Sequence, residues 1–263
     1  MDTSVNPNYN DSHRLFLQSM LSHRIISEDQ ALELYDRACQ LTSGNHAVVF
    51  ERSLTSLRLV PKVDFAAFLT AINRQINEID LALRRSHDEK DGHAIIGLVN
   101  TKDDEISQVA TNYTASEITY VRQLIELIVM ADDDDFAVKS MVAIRLGQKM
   151  KPPISQKDTE DLLDRLVRDE WLEYVPSGAY LMNTRTIMEL QGYLREQYSD
   201  YMKECVMCLE IVTMGERCEL QDCQVRMHRH CADNYFREHS NMRCLTCSTQ
   251  WSRSNVFGLG LPL

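Results

Sequence analysis

The chain has 263 residues, 44% of them apolar, which is enough for one large domain or two to three small ones with ordinary cores and excludes general disorder as the starting expectation. A formal charge of −11 argues against a general nucleic-acid-binding surface, because Lys and Arg on phosphates supply most non-specific affinity. The longest apolar stretches, such as LIELIVMA at 124–131, are too short to span a bilayer, and MDTSVNPNYNDSHR has no basic region followed by an apolar run, so a soluble chain without membrane contact or secretion signal is expected.

Residues 1–11 read as a flexible N-terminus. From Ser12 onward Leu15, Phe16, Met20 and Leu21 recur at helical spacing, and Ser27 with Gln30 three residues later announces a second helix through a capping-box pattern. After a mixed loop from Ser43 to Val60, Pro61 precedes a third amphipathic run at Phe65, Phe68, Leu69, Ile72 and Ile76. The period then changes: Leu81–Arg85 and Ala94–Val99 read as two short strands flanking HDEKDGH, with Asp91-Gly92 as the hairpin turn. Three helices followed by a two-stranded ribbon is the order of a winged helix, a variant of the helix-turn-helix plan.

The order repeats. Ile118, Val121, Leu124, Ile125 and Ile128 mark one helix, and the run Asp132-Asp133-Asp134-Asp135, which lacks the ligand pattern of a calcium loop, reads as a solvated connection. A short helix near Lys139–Leu146 follows, and Ser155 caps a third with Leu162, Leu163 and Leu166 on one face. The ribbon WLEYV, Pro176-Ser177-Gly178, AYLM closes the unit, and Asn183 caps a last helix through Met188, Leu190 and Leu194 to Tyr198. The third helix of this unit, SQKDTEDLLDRLVRDE, holds more acids than bases, so protein contact or a structural role is expected there, with any DNA contact indirect or weak; GQKMK at 147–151 is the short basic cluster near it.

Seven of the eight cysteines fall between Cys205 and Cys247, with Cys39 alone outside, a distribution that suits a metal site in a reducing compartment rather than a disulfide framework. The spacing is Cys205-x2-Cys208-x9-Cys218-x4-Cys223-x4-His228-x2-Cys231-x12-Cys244-x2-Cys247. Eight ligands make two tetrahedral zinc sites, and the long spacers point to interleaving: Cys205, Cys208, His228 and Cys231 on one ion, Cys218, Cys223, Cys244 and Cys247 on the other. His230 adjoins Cys231, and neighbouring side chains rarely converge on one ion, so His230 and His239 are set aside. With every zinc position filled by protein, neither ion has an open site to activate water; two structural Zn(2+) are expected and no catalytic residue.

Two families share this ligand order. The PHD finger usually has Trp two residues before the seventh ligand, where this chain has Met242; the chain instead resembles a RING finger with His at the fifth position. SHRLFLQSMLSHRIISEDQ, EWLEYVPSGAYLMNTRTIMELQGYLREQY and ECVMC…RMHRHC…RCLTCSTQW together resemble the non-structural maintenance of chromosomes element 1 family, from about Ser12 to Trp251, with 43–60 as an insertion. The resemblance implies a mainly α fold with small β-ribbons: tandem winged-helix domains at 12–110 and 111–200, a two-zinc cross-brace variant RING at 201–252 and a C-terminal tail at 253–263. It further implies a nuclear, chromosome-associated subunit of a DNA-repair complex that pairs with a MAGE-domain subunit and a kleisin subunit.

For a RING the implied activity is ubiquitin-protein ligation, performed by holding a charged ubiquitin-conjugating enzyme near the acceptor lysine. By resemblance Val206, Leu209, Leu245 and Trp251 would form the docking surface; the alternative role for these residues is packing of the small zinc-bound core, and for Trp251 packing is the leading expectation. Active RING fingers commonly carry Pro after the seventh ligand and Arg after the last, where this chain has Leu245 and Ser248, so dependence on a partner is expected; the alternative is a non-catalytic subunit whose RING and winged helices serve assembly. The apolar end VFGLGLPL at 256–263 reads as a loose end rather than a docking peptide.

Overall fold

The computed structural model describes residues 9–42, 62–101, 113–238 and 242–259; the expected insertion at 43–60, the boundary at 110/111, His239 and residues 260–263 of the tail lie outside them. By contact the chain forms two units, Met1–His87 with His93–Lys102 and Asp88–Gly92 with Asp103–Leu263.

In the first unit, helix α1 (Asp11–His23) starts at a reciprocal cap: Ser12 N donates to Asn10 Oδ1 at 3.0 Å and Asn10 N to the His13 ring at 3.2 Å. The N-terminal signal therefore sits two residues before Ser12, and Asp11 belongs to the helix rather than to a loose terminus. Phe16 and Met20, one turn apart, are buried, while Leu15 and Leu21 stay exposed, because each lies about 100° around the helix from its buried neighbour. Strand β1 (Ile25–Ser27) leads into α2 (Glu28–Thr42), whose predicted capping box is present: Ser27 N donates to Gln30 Oε1 at 3.1 Å and Gln30 N to Ser27 Oγ at 3.2 Å. Helix α3 (Lys62–Ile76) buries Phe65, Phe68, Ile72 and Ile76, and Phe68 stacks on His13 with centroids 4.1 Å apart.

Strands β2 (Leu81–His87) and β3 (Ala94–Asn100) pair antiparallel with Leu83 opposite Leu98, and β1 adds to the far side of β3, giving the order β1-β3-β2. At three residues β1 is too short to show alternation. Asn73 on α3 exchanges two hydrogen bonds with the Leu83 backbone, at 2.9 and 2.7 Å, and so acts on β2 as a further strand would.

In the second unit Thr114 and Glu117 form a capping box on α4 (Ala115–Val129), which buries Val121, Leu124, Ile125 and Ile128. Strand β4 (Ala137–Lys139), α5 (Ser140–Lys149) and α6 (Gln156–Arg168) follow, the last capped by Ser155, whose hydroxyl accepts from Asp158 N at 3.1 Å. Strands β5 (Leu172–Val175) and β6 (Ala179–Met182) complete a second antiparallel sheet in the order β4-β6-β5. Two helices, α7 (Thr184–Glu189) and α8 (Gln191–Gln197), replace the single helix expected from Asn183 to Tyr198. The break is at Leu190, whose φ of −97° and ψ of 12° leave the helical region while its side chain is fully buried. No described helix is long and apolar enough to cross a membrane.

The cysteine-rich segment adds β7 (Gly215–Arg217), β8 (Arg226–Met227), α9 (Arg229–Glu238) and β9 (Val256–Phe257), with sheet order β8-β7-β9. One apolar core runs from Leu124, Leu162 and Leu194 on through Ile211, Val212 and Met227 to Trp251.

The acidic run is the solvated connection expected at Asp132, Asp133 and Asp135, which are exposed, but it is also anchored: the Arg217 guanidinium meets Asp133 at 2.7 and 3.2 Å, and Arg226 donates twice to Oδ2 of the half-buried Asp134, at 3.1 and 2.7 Å. The start of the tail is not loose, since β9 pairs with β7, Phe257 is buried against Phe136 and Leu259 N donates to Asp135 O at 3.0 Å. Glycine is required at 258: with φ at +83°, a Cβ there would lie 2.3 Å from Thr213 O.

Candidate metal centre

Each CxxC pair is held by its own tight turn. Leu209 N donates to Cys205 O at 2.8 Å and Ser248 N to Cys244 O at 3.0 Å. Leu209 and Ser248 both adopt left-handed backbone, with φ of 62° and 58°, which folds each chain back beneath its two sulfurs. The remaining donors come from the loop after β7 (Cys218, Cys223), from the end of β8 (His228) and from the first turn of α9 (Cys231).

The eight side chains gather into two groups, Cys205, Cys208, His228 and Cys231, and Cys218, Cys223, Cys244 and Cys247; within each, the donor atoms lie within 4.8 Å of one another. All eight cysteines of the chain are free of disulfides. Two thiolates on a tetrahedral zinc at about 2.3 Å sit about 3.8 Å apart. Here Cys223 and Cys244 approach to 3.7 Å and Cys218 and Cys247 to 3.4 Å, while His228 Nδ1 lies 3.3 Å from Cys208 Sγ.

The electrostatics call for a cation. Hydrogen bonds from Cys208 and Cys231 hold the Cys205 thiol far below its usual range, and the bond to Cys205 in turn pushes Cys231 up. In the second group burial pushes Cys218 up to about 12, whereas hydrogen bonds from Thr249 bring Cys247 down to about 6. Burial works against a proton on His228, but the Cys205, Cys208 and Glu89 acceptors outweigh it and push the imidazole up to about 12. Crowded donors of this kind cannot all shed their protons unless positive charge enters among them, which is what Zn(2+) supplies when bound. The two groups of four therefore fit two zinc ions. His230 is in neither group; its ring stacks on His228 with centroids 5.0 Å apart.

Around the sulfurs the surface is apolar and open. Val206, Leu209 and Leu245 are exposed, at 37, 66 and 42%. Val206 and Leu209 line a shallow groove of about 520 Å³ together with Leu220, Val225, Thr246 and Cys247, while Leu245 stands outside that lining. Leu220, 46% exposed, escaped sequence reasoning because it follows no repeat; its place between the second pair of ligands, Cys218 and Cys223, was the available signal. Trp251 does not belong to this surface. It is 2% exposed, tilts against Phe236 at 5.7 Å and donates its indole N–H to Glu216 Oε2 at 2.9 Å, so the ring fills the zinc-side core.

Comparison with known proteins bears on both parts of the chain. A family model described as Nse1 non-SMC component of SMC5-6 complex matches residues 13–190, and one for a RING-like domain matches 205–247. Non-structural maintenance of chromosomes element 1 homologs from Xenopus laevis and Homo sapiens are each 29% identical over 92% of this chain, covering 83 and 84% of their own lengths. The Schizosaccharomyces pombe protein is 27% identical over 72% of this chain and 78% of its own. A chain of a solved Nse1-Nse3-Nse4 complex superposes with a TM-score of 0.74 at 28% identity, covering 94% of this chain and 98% of that one. With its family model spanning the helical portion and a RING-like module holding the two ligand groups, the chain belongs to the Nse1 family.

Proposed function

We propose that the chain is a RING-type ubiquitin-protein ligase subunit of a structural-maintenance-of-chromosomes complex, nuclear and chromosome-associated, acting in DNA repair. The observation that carries the reading is the exposed apolar groove of Val206, Leu209 and Leu220 beside the two ligand groups, with Leu245 nearby, a surface of the shape and chemistry that a ubiquitin-conjugating enzyme uses. The zinc ligands in this reading are Cys205, Cys208, His228 and Cys231 for one ion and Cys218, Cys223, Cys244 and Cys247 for the other. No nucleophile is needed from this chain, since the rate gain comes from holding the thioester and the acceptor lysine together.

The similar solved structure is an Nse1-Nse3-Nse4 complex, which supports a MAGE-domain protein and a kleisin as the partners. Ser248 has no cation to offer the thioester arrangement, and the nearby Arg243 spends a donor on the Ser248 carbonyl at 3.0 Å. The missing charge-assisted contacts would come from the MAGE partner. The acidic α6 favours protein contact over direct DNA contact in the second winged helix.

A second reading has its own observation: the zinc-bearing segment shares one core with the helices before it, as a structural module would. In that reading the protein is a non-catalytic subunit serving assembly. Discharge of ubiquitin from a panel of charged conjugating enzymes onto free lysine separates the two. Under the ligase reading the chain with its MAGE partner accelerates discharge and Leu209→Ala removes the gain with both zincs retained; no acceleration by the intact complex leaves the assembly reading.

A further inference from the structure

Glu89 is one of the few acidic residues buried among the described residues, 6% exposed, and the two-zinc reading gives it no task. It belongs to the second unit, on the Asp88–Gly92 turn, where Gly92 N donates to Asp88 O at 2.9 Å. Both carboxylate oxygens are engaged. Oε1 accepts from Thr213 N at 2.7 Å, Oε2 accepts from Thr213 Oγ1 at 2.6 Å, and His228 Nε2 lies 3.2 Å from Oε1. The same Nε2 lies 3.1 Å from Ile211 O, so one N–H is shared between a carboxylate and a carbonyl. The other ring nitrogen, Nδ1, faces the sulfurs of Cys208 and Cys231 at 3.3 and 3.9 Å.

From this geometry we infer that Glu89 is a positioning residue for the zinc site of Cys205, Cys208, His228 and Cys231. By accepting from Nε2 it fixes His228 in the tautomer that turns the Nδ1 lone pair toward the sulfurs, and its charge makes the imidazole a stronger donor to a metal. Thr213 in turn holds the carboxylate, so the chain carboxylate, imidazole, metal is fixed at each link. The turn also packs against the stacked pair of rings: a Cβ on Gly92, where φ is +73°, would stand 2.5 Å from His230 Cβ. The second group, four cysteines, has no imidazole to orient, so the effect is confined to one of two sites.

The inference rests on the two-zinc reading, and elemental analysis of the wild-type chain tests that separately: fewer than two zincs would remove the premise, whatever Glu89 does. With two zincs confirmed, release to a colorimetric chelator is followed in the full chain, and the sites are told apart by cadmium substitution and 113Cd NMR. Glu89→Ala should speed loss of one zinc by about 10–100-fold, leave the other rate unchanged and move only the signal of the site that contains His228. Glu89→Gln keeps an acceptor oxygen and loses the charge, so its rate should fall between, and it carries the test if the alanine variant does not fold. Lys90→Ala, on the same turn and paired to Glu173, should release both zincs at wild-type rates. Wild-type release from both glutamate variants, or equal acceleration at both sites, would overturn the assignment.

Discussion

The acidic run offers a graded test of how the zinc-bearing segment is held. Asp134 meets Arg226, whose side chain is 9% exposed and also donates to Cys223 O at 3.1 Å and Val225 O at 3.2 Å under the Phe257 ring. Truncation to Asp134→Ala leaves that guanidinium buried with only neutral acceptors. A fully buried pair broken in this way costs about 3–5 kcal/mol. Asp134 is itself 22% exposed, so water recovers part of the loss and about 2–3 kcal/mol is expected. Asp133, 74% exposed against Arg217, should cost about 1 kcal/mol or less on the same truncation. Asp132 forms no ion pair among the described residues, and Asp132→Ala should stay within about 0.5 kcal/mol. Urea unfolding of the zinc-loaded protein at constant slope gives the three values, and a double-mutant cycle of Asp134→Ala with Arg226→Met isolates the pair. Equal, small effects at all three positions would refute the clamp and leave an unanchored solvated loop.

Three further outcomes follow from the same geometry. Chelation of zinc should unfold the segment from Cys205 onward, because structural zinc supplies about 10–16 kcal/mol per site in small peptides and whole domains are stable by only about 5–15 kcal/mol; loss of near-ultraviolet circular dichroism on chelation, restored by zinc, is the measurement. Trp251→Ala should cost about 3–5 kcal/mol and weaken zinc retention, whereas Val206→Ala and Leu209→Ala, at exposed positions, should leave urea midpoints nearly unchanged. Burial alone would raise the Glu117 carboxyl, but donors from Thr114 and Arg165 outweigh it and hold it below 4.5; the stability lost in Glu117→Gln, about 1 kcal/mol, should be present above pH 4.5 and close as pH falls through the depressed value, read from paired urea titrations.

Much of the fold was legible because local rules agree with the final structure. Ser27 with Gln30, Ser155 and Asn183 all cap where their side chains predict, and the eight metal-site residues come together in the interleaved pattern that their spacing suggests. What escaped depends on contacts distant in sequence. Arg217 and Arg226 lie far along the chain from Asp133 and Asp134, so a local reading sees only four adjacent acids. For Trp251 the packing role favoured over docking holds, but its partners, the acceptor on Glu216 and the face of Phe236, could not be named from the sequence. Glu89 sat unnoticed in the middle of a polar turn sequence, and nothing nearby marks it as the partner of Thr213 and His228. The tail misled in the opposite direction, since Val256 and Phe257 form a strand too short to carry a period.

Under the proposed function the apolar face beside the two ligand groups is the working surface of the molecule. Methyl NMR of the zinc-loaded chain, assembled with the MAGE-domain partner proposed above and titrated with ubiquitin-conjugating enzymes, shows whether that face is engaged. Saturable shifts centred on Val206, Leu209, Leu220 and Leu245 are expected, abolished by Leu209→Ala while the core methyls of Leu124 and Leu162 stay still. Absence of any shift across the panel, or shifts confined to the helices before Cys205, would rule that reading out.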